Sequence, residues 1–434
     1  MMNVSKPVTV IGAGLAGSEA AWWLAEHQHP VRLIEMRPHV ASPAHHSGDF
    51  AELVCSNSLK SDVLTNAAGL LKAEMRLLGS LTMASAAQTA VPAGQALAVD
   101  RQLFSAWITQ KIRSHPLIEV VEEEVTSLAS IEGPVVVASG PLTSPPLATY
   151  LQTALGGDSL YFYDAAAPLI AADSIDQSKV YAKSRYDKAG GDDYWNCPMT
   201  QSEFLTFFQA LRRAERAPLH SFEREQYFEG CMPIEVLASR GPQTLTFGPM
   251  KPVGLETPNG ERPYAVVQLR QDDLAQSVYN LVGFQTNLKF GEQERVFRLI
   301  PGLEQARFLR FGVMHRNTYL NGPRLLDATL RLKQDQPWWF AGQMIGVEGY
   351  VESAASGMAA AIAVHRYLQN LPPLPFPRET MLGALLHYVA HASPTRYQPM
   401  NANFGLALPP TQDKQAVADR SLAALATWLK EALG

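Results

Sequence analysis

The sequence predicts an α/β protein: a Rossmann-type domain that is discontinuous in the chain, with a smaller α+β domain inserted into it. Three observations lead there. Residues 8–11 (VTVI) form a short apolar run that enters a glycine turn, a helical segment SEAAWWLAEH and a second apolar run, VRLIE. From about Tyr181 the texture changes to aromatics, charges and short alternating runs. Near Trp338 the first texture returns, in WWFAGQ and the small-residue stretch after it. The expected boundaries are 1–180 and 320–434 for the Rossmann-type domain and 181–319 for the insertion, and a chain of 434 residues has room for both.

Each element follows from its own residues. Strand, glycine turn, helix, strand is the opening of a βαβ unit. IEVVEEEVTSL and PVVVASG read as further strands of the same sheet, the second apolar throughout, as a strand covered on both faces should be. Within the insertion, TLTFGPM and YAVVQLR alternate in the manner of antiparallel strands with one wet face. WWFAGQ is another strand ending in glycine, and GYVESAASGMAAAIAVHRYL is a helix whose small residues suit close packing. LPPLPFP at 371–377 excludes helix and marks a boundary. In the closing segment, Leu422, Leu425, Trp428, Leu429 and Leu433 recur at helical spacing and predict a packing helix.

The glycine turn has a physical purpose beyond connection. Gly12 permits the tight turn, Gly14 lets the backbone approach a pyrophosphate, and Gly17 lets the helix lie against the strand. With Ala13, Leu15 and Ala16 between them, the helix N-terminus brings unpaired N–H groups to that negative charge. Glu35 closes the second strand, where a carboxylate accepts hydrogen bonds from a ribose diol and repels a 2′-phosphate. This favours FAD or NAD over NADP. The turn at the N-terminus, a later strand ending in Ala138, Ser139 and Gly140, and a last strand ending at Gly342 before a helix together resemble the two-dinucleotide-binding flavoproteins. That resemblance, not periodicity, points to FAD. No second glycine fingerprint is present, so NAD(P)H is expected to visit the flavin without a dedicated Rossmann site.

The formal charge of −5 argues against a chain that coats nucleic acid non-specifically, yet leaves room for a local basic surface. Hydrophobic residues at 47% and charged residues at 18% exclude disorder and a charge-rich coiled coil. The longest apolar stretch, near Ala354 to Val364, is shorter than the roughly 20 residues a bilayer needs. Glycines and Glu19 interrupt the first apolar run where a secretion signal would continue, so the expectation is a cytoplasmic protein without a membrane partner. Three cysteines are too few for a disulfide framework and lack paired metal-ligand spacing, and no metal is expected. Cys55 sits in ELVCSNSLKSD with Lys60 nearby, a setting that lowers a thiol pKa. Cys231 sits in YFEGCMPIEVLASRG, where the backbone turns. For either one alone, an inert, partly buried thiol is the plainer reading. Cys197, in YWNCPMT, reads as structural.

A thiol matters if the substrate is a pyrimidine, and a flavin matters if a one-carbon unit arrives at the oxidation level of formaldehyde. A thiolate adding at C6 of a uracil makes C5 nucleophilic, and a reduced flavin supplies the two electrons that turn a methylene into a methyl. The chain resembles the bacterial folate- and FAD-dependent tRNA (uracil-5-)-methyltransferases, the TrmFO family. The likeness runs through GAGLAGSEAAWWLA, LIEMRP, AELVCSNSLKSD, AGLLKAEMRLLGSL, VPAGQALAVDR, FEGCMPIEVLASRGPQTLTFGPMKPVGL, GQMIGVEGYVESAASG and YQPMNANFGL, nearly the whole chain. A related flavin-dependent family that modifies tRNA uridine with a carboxymethylaminomethyl group shares the GQ…GY.E.A…G pattern.

The resemblance implies methylation of the T-loop uridine at tRNA position 54, with 5,10-methylenetetrahydrofolate as carbon donor, FAD as carrier and reductant, and NADH or NADPH reducing the flavin. Carried over by motif, Cys231 in FEGCMP is the nucleophile at uracil C6, and Cys55 in LVCSNS is a second functional thiol close to the flavin. Tyr350 is expected against the flavin, held by Gly342, Gln343 and Gly349; Arg37 and Gly140 join Gly12 to Gly17 and Glu35 in the cofactor set. Lys60, Arg101, Arg240, Lys251, Arg316 and Arg396 are cations in or beside the matching strings and are candidates for RNA phosphate. Tyr227 and Phe228 are candidate stacking partners for an extruded base. The sequence indicates no stable protein partner. Two alternatives stay open: the same chemistry on an rRNA uridine, and a non-catalytic RNA-binding flavoprotein, which would have no need of Cys231 in a glycine-opened loop.

Overall fold

The computed structural model describes residues 6–42, 44–156, 159–165, 167–185, 193–217, 232–407 and 413–433. Its first sheet has five parallel strands in the order Trp338–Phe340, Val135–Val137, Val8–Ile11, Val31–Glu35 and Ile118–Glu122. Trp338 pairs in register with Val135, so a strand late in the chain completes a sheet begun at residue 8, and the domain is discontinuous. Val8–Ile11 and Val135–Val137 are buried throughout, in keeping with their unbroken apolar runs. The helix Leu15–Glu26 lies against Tyr350–Leu368, and Gly357 is what lets them touch: a side chain there would collide with the Ala16 backbone.

The second sheet is antiparallel, with the order Tyr181–Ala182, Tyr194–Met199, Ala265–Gln271, Val278–Leu281, Leu169–Ala171 and Phe308–Arg310. It takes in Leu169–Ala171, upstream of Tyr181. Helix Gln201–Arg213 opens on a capping box between Thr200 and Glu203 and sinks Phe204, Phe207, Phe208 and Leu211 into this module's core. The chain crosses between modules on a two-stranded ribbon, Ser159–Ala165 antiparallel to Met314–Leu320.

Two strand expectations are corrected. TLTFGPM is not a strand: Pro242 at the first turn starts a helix, Pro242–Phe247, which buries Leu245 and leaves Phe247 79% exposed before Gly248 ends it. YAVVQLR does form the strand Ala265–Gln271, but it has no wet face. Ala265, Val267 and Leu269 fill the module's core, while Gln268 and Arg270 on the other face are buried against Asn196 and against Ser56 and Asn57. The alternation is real; the polar side meets protein. The closing helix, Lys414–Ala432, buries Leu425 and Trp428, and Trp428 lies 4.0 Å from the Phe376 ring of the proline-rich segment; Leu433 falls outside it. Two buried carboxylates cap helices from a distance. Glu19 accepts from the Leu81 and Thr82 N–H groups, and Glu74 from those of Met381 and Leu382.

Candidate active site

The glycine turn forms the floor of a cleft of about 790 Å³, open mouth included, that runs past Glu35 and Gly140 to Gly342, Gln343 and Tyr350. A narrower cleft of about 360 Å³ continues it and shares Gly12, Glu35, Met36 and Ser139, so the whole is elongated, as a dinucleotide is. The three glycines differ in what requires them. Gly12 has φ +93°, and a Cβ there would lie 2.7 Å from the Ala138 carbonyl oxygen; a side chain at Gly17 would collide with the Gly12 carbonyl. Gly14 has an ordinary φ of −69° and nothing within 4 Å of where a Cβ would stand. The fold does not need glycine at that position, whereas a pyrophosphate lying on the backbone does. The residues present therefore fit FAD.

Glu35 is braced before any ligand reaches it. Its Oε2 accepts from the Ala13 N–H at 2.7 Å, and its Oε1 from the Arg37 N–H and Nε at 3.1 and 3.0 Å. Burial alone would raise its pKa, but the Arg37 charge and these hydrogen bonds hold it below the usual carboxylate range. Three donors leave a carboxylate at least one lone pair for a ribose hydroxyl. Arg37 is itself anchored to the Asp49 carbonyl at 3.0 Å. His45 lines the same wall, and burial together with Arg37 pulls it down to about 4, so it is neutral at pH 7. At the far end, the Gly342 N–H donates to Ser356 Oγ at 2.8 Å, and the Gln343 amide donates to both Glu348 oxygens at 3.0 Å. Gly349 caps helix Tyr350–Leu368 at φ +119°, a backbone conformation that L side chains rarely adopt.

That helix starts on the residue that reaches the thiol. Tyr350 Oη accepts the Cys55 N–H at 2.7 Å and the Ser56 N–H at 3.1 Å, and stands 2.8 Å from Cys55 Sγ. Two N–H groups occupy the oxygen's lone pairs, so its one proton is directed at sulfur. Burial keeps Tyr350 well above its ordinary pKa, so it remains a phenol. The second module closes over this loop. Arg101 donates to the Leu53 carbonyl at 3.0 Å and to Asp272 at 2.6 Å. Arg270 donates to Asn57 Oδ1 at 2.9 Å and Ser56 Oγ at 2.7 Å, while the Asn57 amide reaches the carbonyls of Val99 and Gln271 at 3.0 and 2.9 Å.

The other sequence-derived candidates divide. Cys231, Tyr227 and Phe228 lie outside the described residues. The described chain on either side is fixed to one short stretch: the Ala217 N–H donates to the Asn287 carbonyl at 2.8 Å, and the Ile234 N–H to that of Gln285 at 2.7 Å. Cys197 is fully buried, and burial pushes its thiol up. Lys60 and Arg101 are beside the Cys55 loop, but Lys60 pairs with Glu352 at 2.8 Å and Arg101 with Asp272. Arg240 is exposed at the end of helix Ile234–Ser239, Lys251 is partly buried, Arg316 lies on the connecting ribbon opposite Tyr163, and Arg396 is exposed. Sequence reasoning missed Asn57, Arg270 and Asp272. The only signal for Arg270 was a cation in the interior of a strand pattern, YAVVQLR. Among the described residues no helix is long and apolar enough to cross a membrane, and no cluster of three or more His, Cys, Asp or Glu is placed to hold a metal.

Comparison with known proteins places this geometry. Residues 7–372 match the family model described as glucose inhibited division protein A. The methylenetetrahydrofolate–tRNA-(uracil-5-)-methyltransferase TrmFO of Enterococcus faecalis is 58% identical over 427 residues, covering 96% of this chain and 98% of its own. That of Desulforudis audaxviator is 56% identical over 438 residues, covering 99% of each. The solved structure of Aquifex aeolicus GidA in its form II crystal shares the fold, with a TM-score of 0.70 at 17% identity over 98% of this chain and 73% of that one.

Proposed function

Since the chain belongs to the TrmFO family of methylenetetrahydrofolate–tRNA-(uracil-5-)-methyltransferases, we propose that it transfers the one-carbon unit of 5,10-methylenetetrahydrofolate to C5 of the uridine at position 54 of the tRNA T loop. FAD occupies the glycine-floored cleft, NADH or NADPH provides the electrons, and the reaction takes place in the cytoplasm. When bound, FAD supplies the two electrons that turn a methylene into a methyl. The protein's own residues do the rest. Gly12, Gly14 and Gly17 bring the N-terminus of helix Leu15–Glu26 to the pyrophosphate, and ionised Glu35 takes a ribose hydroxyl. Tyr350 and Gly342 form the wall at the flavin end. Cys231 adds to uracil C6, and Cys55, facing the Tyr350 proton, holds or moves a proton at its sulfur. The module around 181–319 faces RNA with Arg240, Lys251 and Arg316, and Arg396 adds to this from the C-terminal segment.

One observation carries this reading: the 2.8 Å approach of Cys55 Sγ to Tyr350 Oη on the wall of a cleft whose Gly14 faces open space. A fold that only stored a nucleotide would not need a thiol aimed there. The test is a pair of variants in the flavin-loaded protein, supplied with isotope-labelled methylenetetrahydrofolate, NADH and unmodified tRNA. Cys231→Ala is expected to abolish label transfer while the protein stays yellow, and Cys55→Ala to reduce it sharply. Full transfer by Cys231→Ala would remove the nucleophile, and full transfer by both would remove the thiol chemistry altogether.

A further inference from the structure

The contacts between the thiol loop and Tyr350 all meet at one atom. The N–H groups of Cys55 and Ser56 and the Cys55 sulfur converge on Tyr350 Oη. A single atom is a pivot: contacts that share it fix a distance and leave the loop free to turn about it. Yet the sulfur contact depends on direction, because the phenol has one proton to give. The hydrogen bonds from Arg270 to Ser56 and Asn57 run to the second module and not to this helix. A second tie to the helix comes a few residues beyond Cys55. Lys60 Nζ donates to Glu352 Oε1 at 2.8 Å, and Glu352 lies with Tyr350 in the first turn of helix Tyr350–Leu368.

The backbone is built to hold Lys60 for this tie. Its φ is +64°, a left-handed conformation uncommon for a residue with a side chain, and strand pairing slips around it, between Ser58 and Ser61. Such a bulge re-aims a side chain. Lys72 of helix Ala67–Leu77 keeps the strained turn in place: it is fully buried, and its Nζ donates to the carbonyls on either side of Lys60, at 2.8 Å to Leu59 and 2.6 Å to Ser61. At the other end Glu352 is fully buried as well. Its Oε1 also accepts the Ala402 N–H at 3.1 Å, while its Oε2 has no hydrogen-bond partner among the described residues. A half-answered buried carboxylate and a left-handed lysine are each unfavourable, and native proteins keep such features where they serve a site. A lysine that only met a phosphate would need neither.

We propose that Lys60 is a positioning residue for methyl transfer: its ion pair with Glu352 stops the thiol loop turning about Tyr350 Oη and keeps Cys55 Sγ on the line of the phenol proton. The inference rests on the reading that this thiol serves the reaction on a uridine. Lys60 makes and breaks no bond itself; it acts through Glu352 and the first helical turn. Misplacing a reacting group by about 1 Å costs up to about 100-fold in rate. A loosened tie is therefore read in kcat rather than in the binding of tRNA.

The test uses the flavin-loaded protein with methylenetetrahydrofolate, NADH and unmodified tRNA. Lys60→Met is expected to stay yellow, to keep its KM for tRNA within about threefold and to lose about 10-fold in kcat. Lys60→Arg, which still reaches a carboxylate, should recover most of that loss. The decisive comparison is with Tyr350→Phe: if Lys60 acts through the phenol, adding Lys60→Met to that variant should slow it less than about twofold. A further loss of about 10-fold there would overturn the proposal, as would a KM for tRNA that rises while kcat holds, the mark of a phosphate contact. Lys60→Met strands the Glu352 charge, so Lys60→Met/Glu352→Gln, which removes both charges, carries the same comparison where the single variant does not fold. A second measurement needs no RNA. Alkylation of Cys55 by iodoacetamide, located by peptide mapping, should slow about threefold or more in Lys60→Met and be unmoved by the same change in the Tyr350→Phe background. If the wild-type protein labels no RNA while alkylation behaves in this way, the uridine reading fails and the positioning of the thiol stands; alkylation that ignores Lys60 overturns the positioning.

Discussion

A phenol that accepts two backbone N–H groups has a single proton to offer, and in this site Tyr350 offers it to sulfur. Tyr350→Phe removes that proton and leaves the buried N–H groups of Cys55 and Ser56 without an acceptor. We expect a loss of about 1–3 kcal/mol in stability, read by urea unfolding, and a fall of about 100-fold in methyl transfer with flavin still bound. Unchanged transfer would show that the contact is structural only. The glycine turn offers a sharper contrast between neighbouring residues. Gly14→Val should fold with the melting temperature of the flavin-free parent and emerge colourless, because nothing of the protein occupies the space its side chain would enter. Gly17→Val should lose the fold along with the flavin, because its side chain would strike the Gly12 carbonyl. A yellow Gly14→Val protein would contradict the cradle. These glycines, Glu35 and the Cys55 loop were legible in the sequence because each sits in a short string, while Cys231, proposed on the same ground, lies outside the described residues. The tie made by Lys60 was not legible: nothing in SLKS distinguishes a surface lysine from one held in a left-handed backbone and paired with a buried glutamate.

Among the elements, the strands of the first sheet were readable because unbroken apolar runs have few other uses. The insertion was harder. Alternation in TLTFGPM looked like a strand, but Pro242 sets a helical first turn and Gly248 stops it after six residues. Helix caps supplied from afar left no local trace at all. Glu74, in the helix Ala67–Leu77, serves the N-terminus of Met381–His391 and accepts from Ser421 of the closing helix. Burial outweighs these hydrogen bonds and raises its pKa from 4.5 to about 7. A carboxyl whose folded pKa is raised contributes stability that is fully present below its unfolded pKa and is lost as pH rises through the folded value. Between about pH 4.5 and pH 7 and beyond, Glu74 should therefore cost the protein up to ~3 kcal/mol. Glu74→Gln should flatten the decline of melting temperature between pH 5 and pH 8; an equally steep decline in the variant would place its origin elsewhere.

At the scale of the whole molecule, the two modules meet through the loop that carries the thiol. Arg270 and Ser56 are 214 positions apart in the chain, and Asn57 reaches Gln271 across the same gap. Such a junction is invisible to periodicity, which reads only near neighbours, although discontinuity of the first sheet was visible in the return of its texture at Trp338. Asn57→Ala would strand two carbonyls and the Arg270 Nε inside the junction. We expect a loss of about 2–4 kcal/mol in urea unfolding together with slower methyl transfer; a variant as stable and active as the parent would mean that the modules are held together elsewhere.

The central claim is that this arrangement delivers a folate-derived carbon to a tRNA uridine. It is tested most directly by incubating the purified yellow protein with NADH, isotope-labelled methylenetetrahydrofolate and a mixture of unmodified tRNA and rRNA, then mapping the labelled nucleotide. The account predicts label in 5-methyluridine at position 54 of the tRNA. Label confined to rRNA, or RNA left unlabelled while the folate is intact and the flavin reduced, would contradict it.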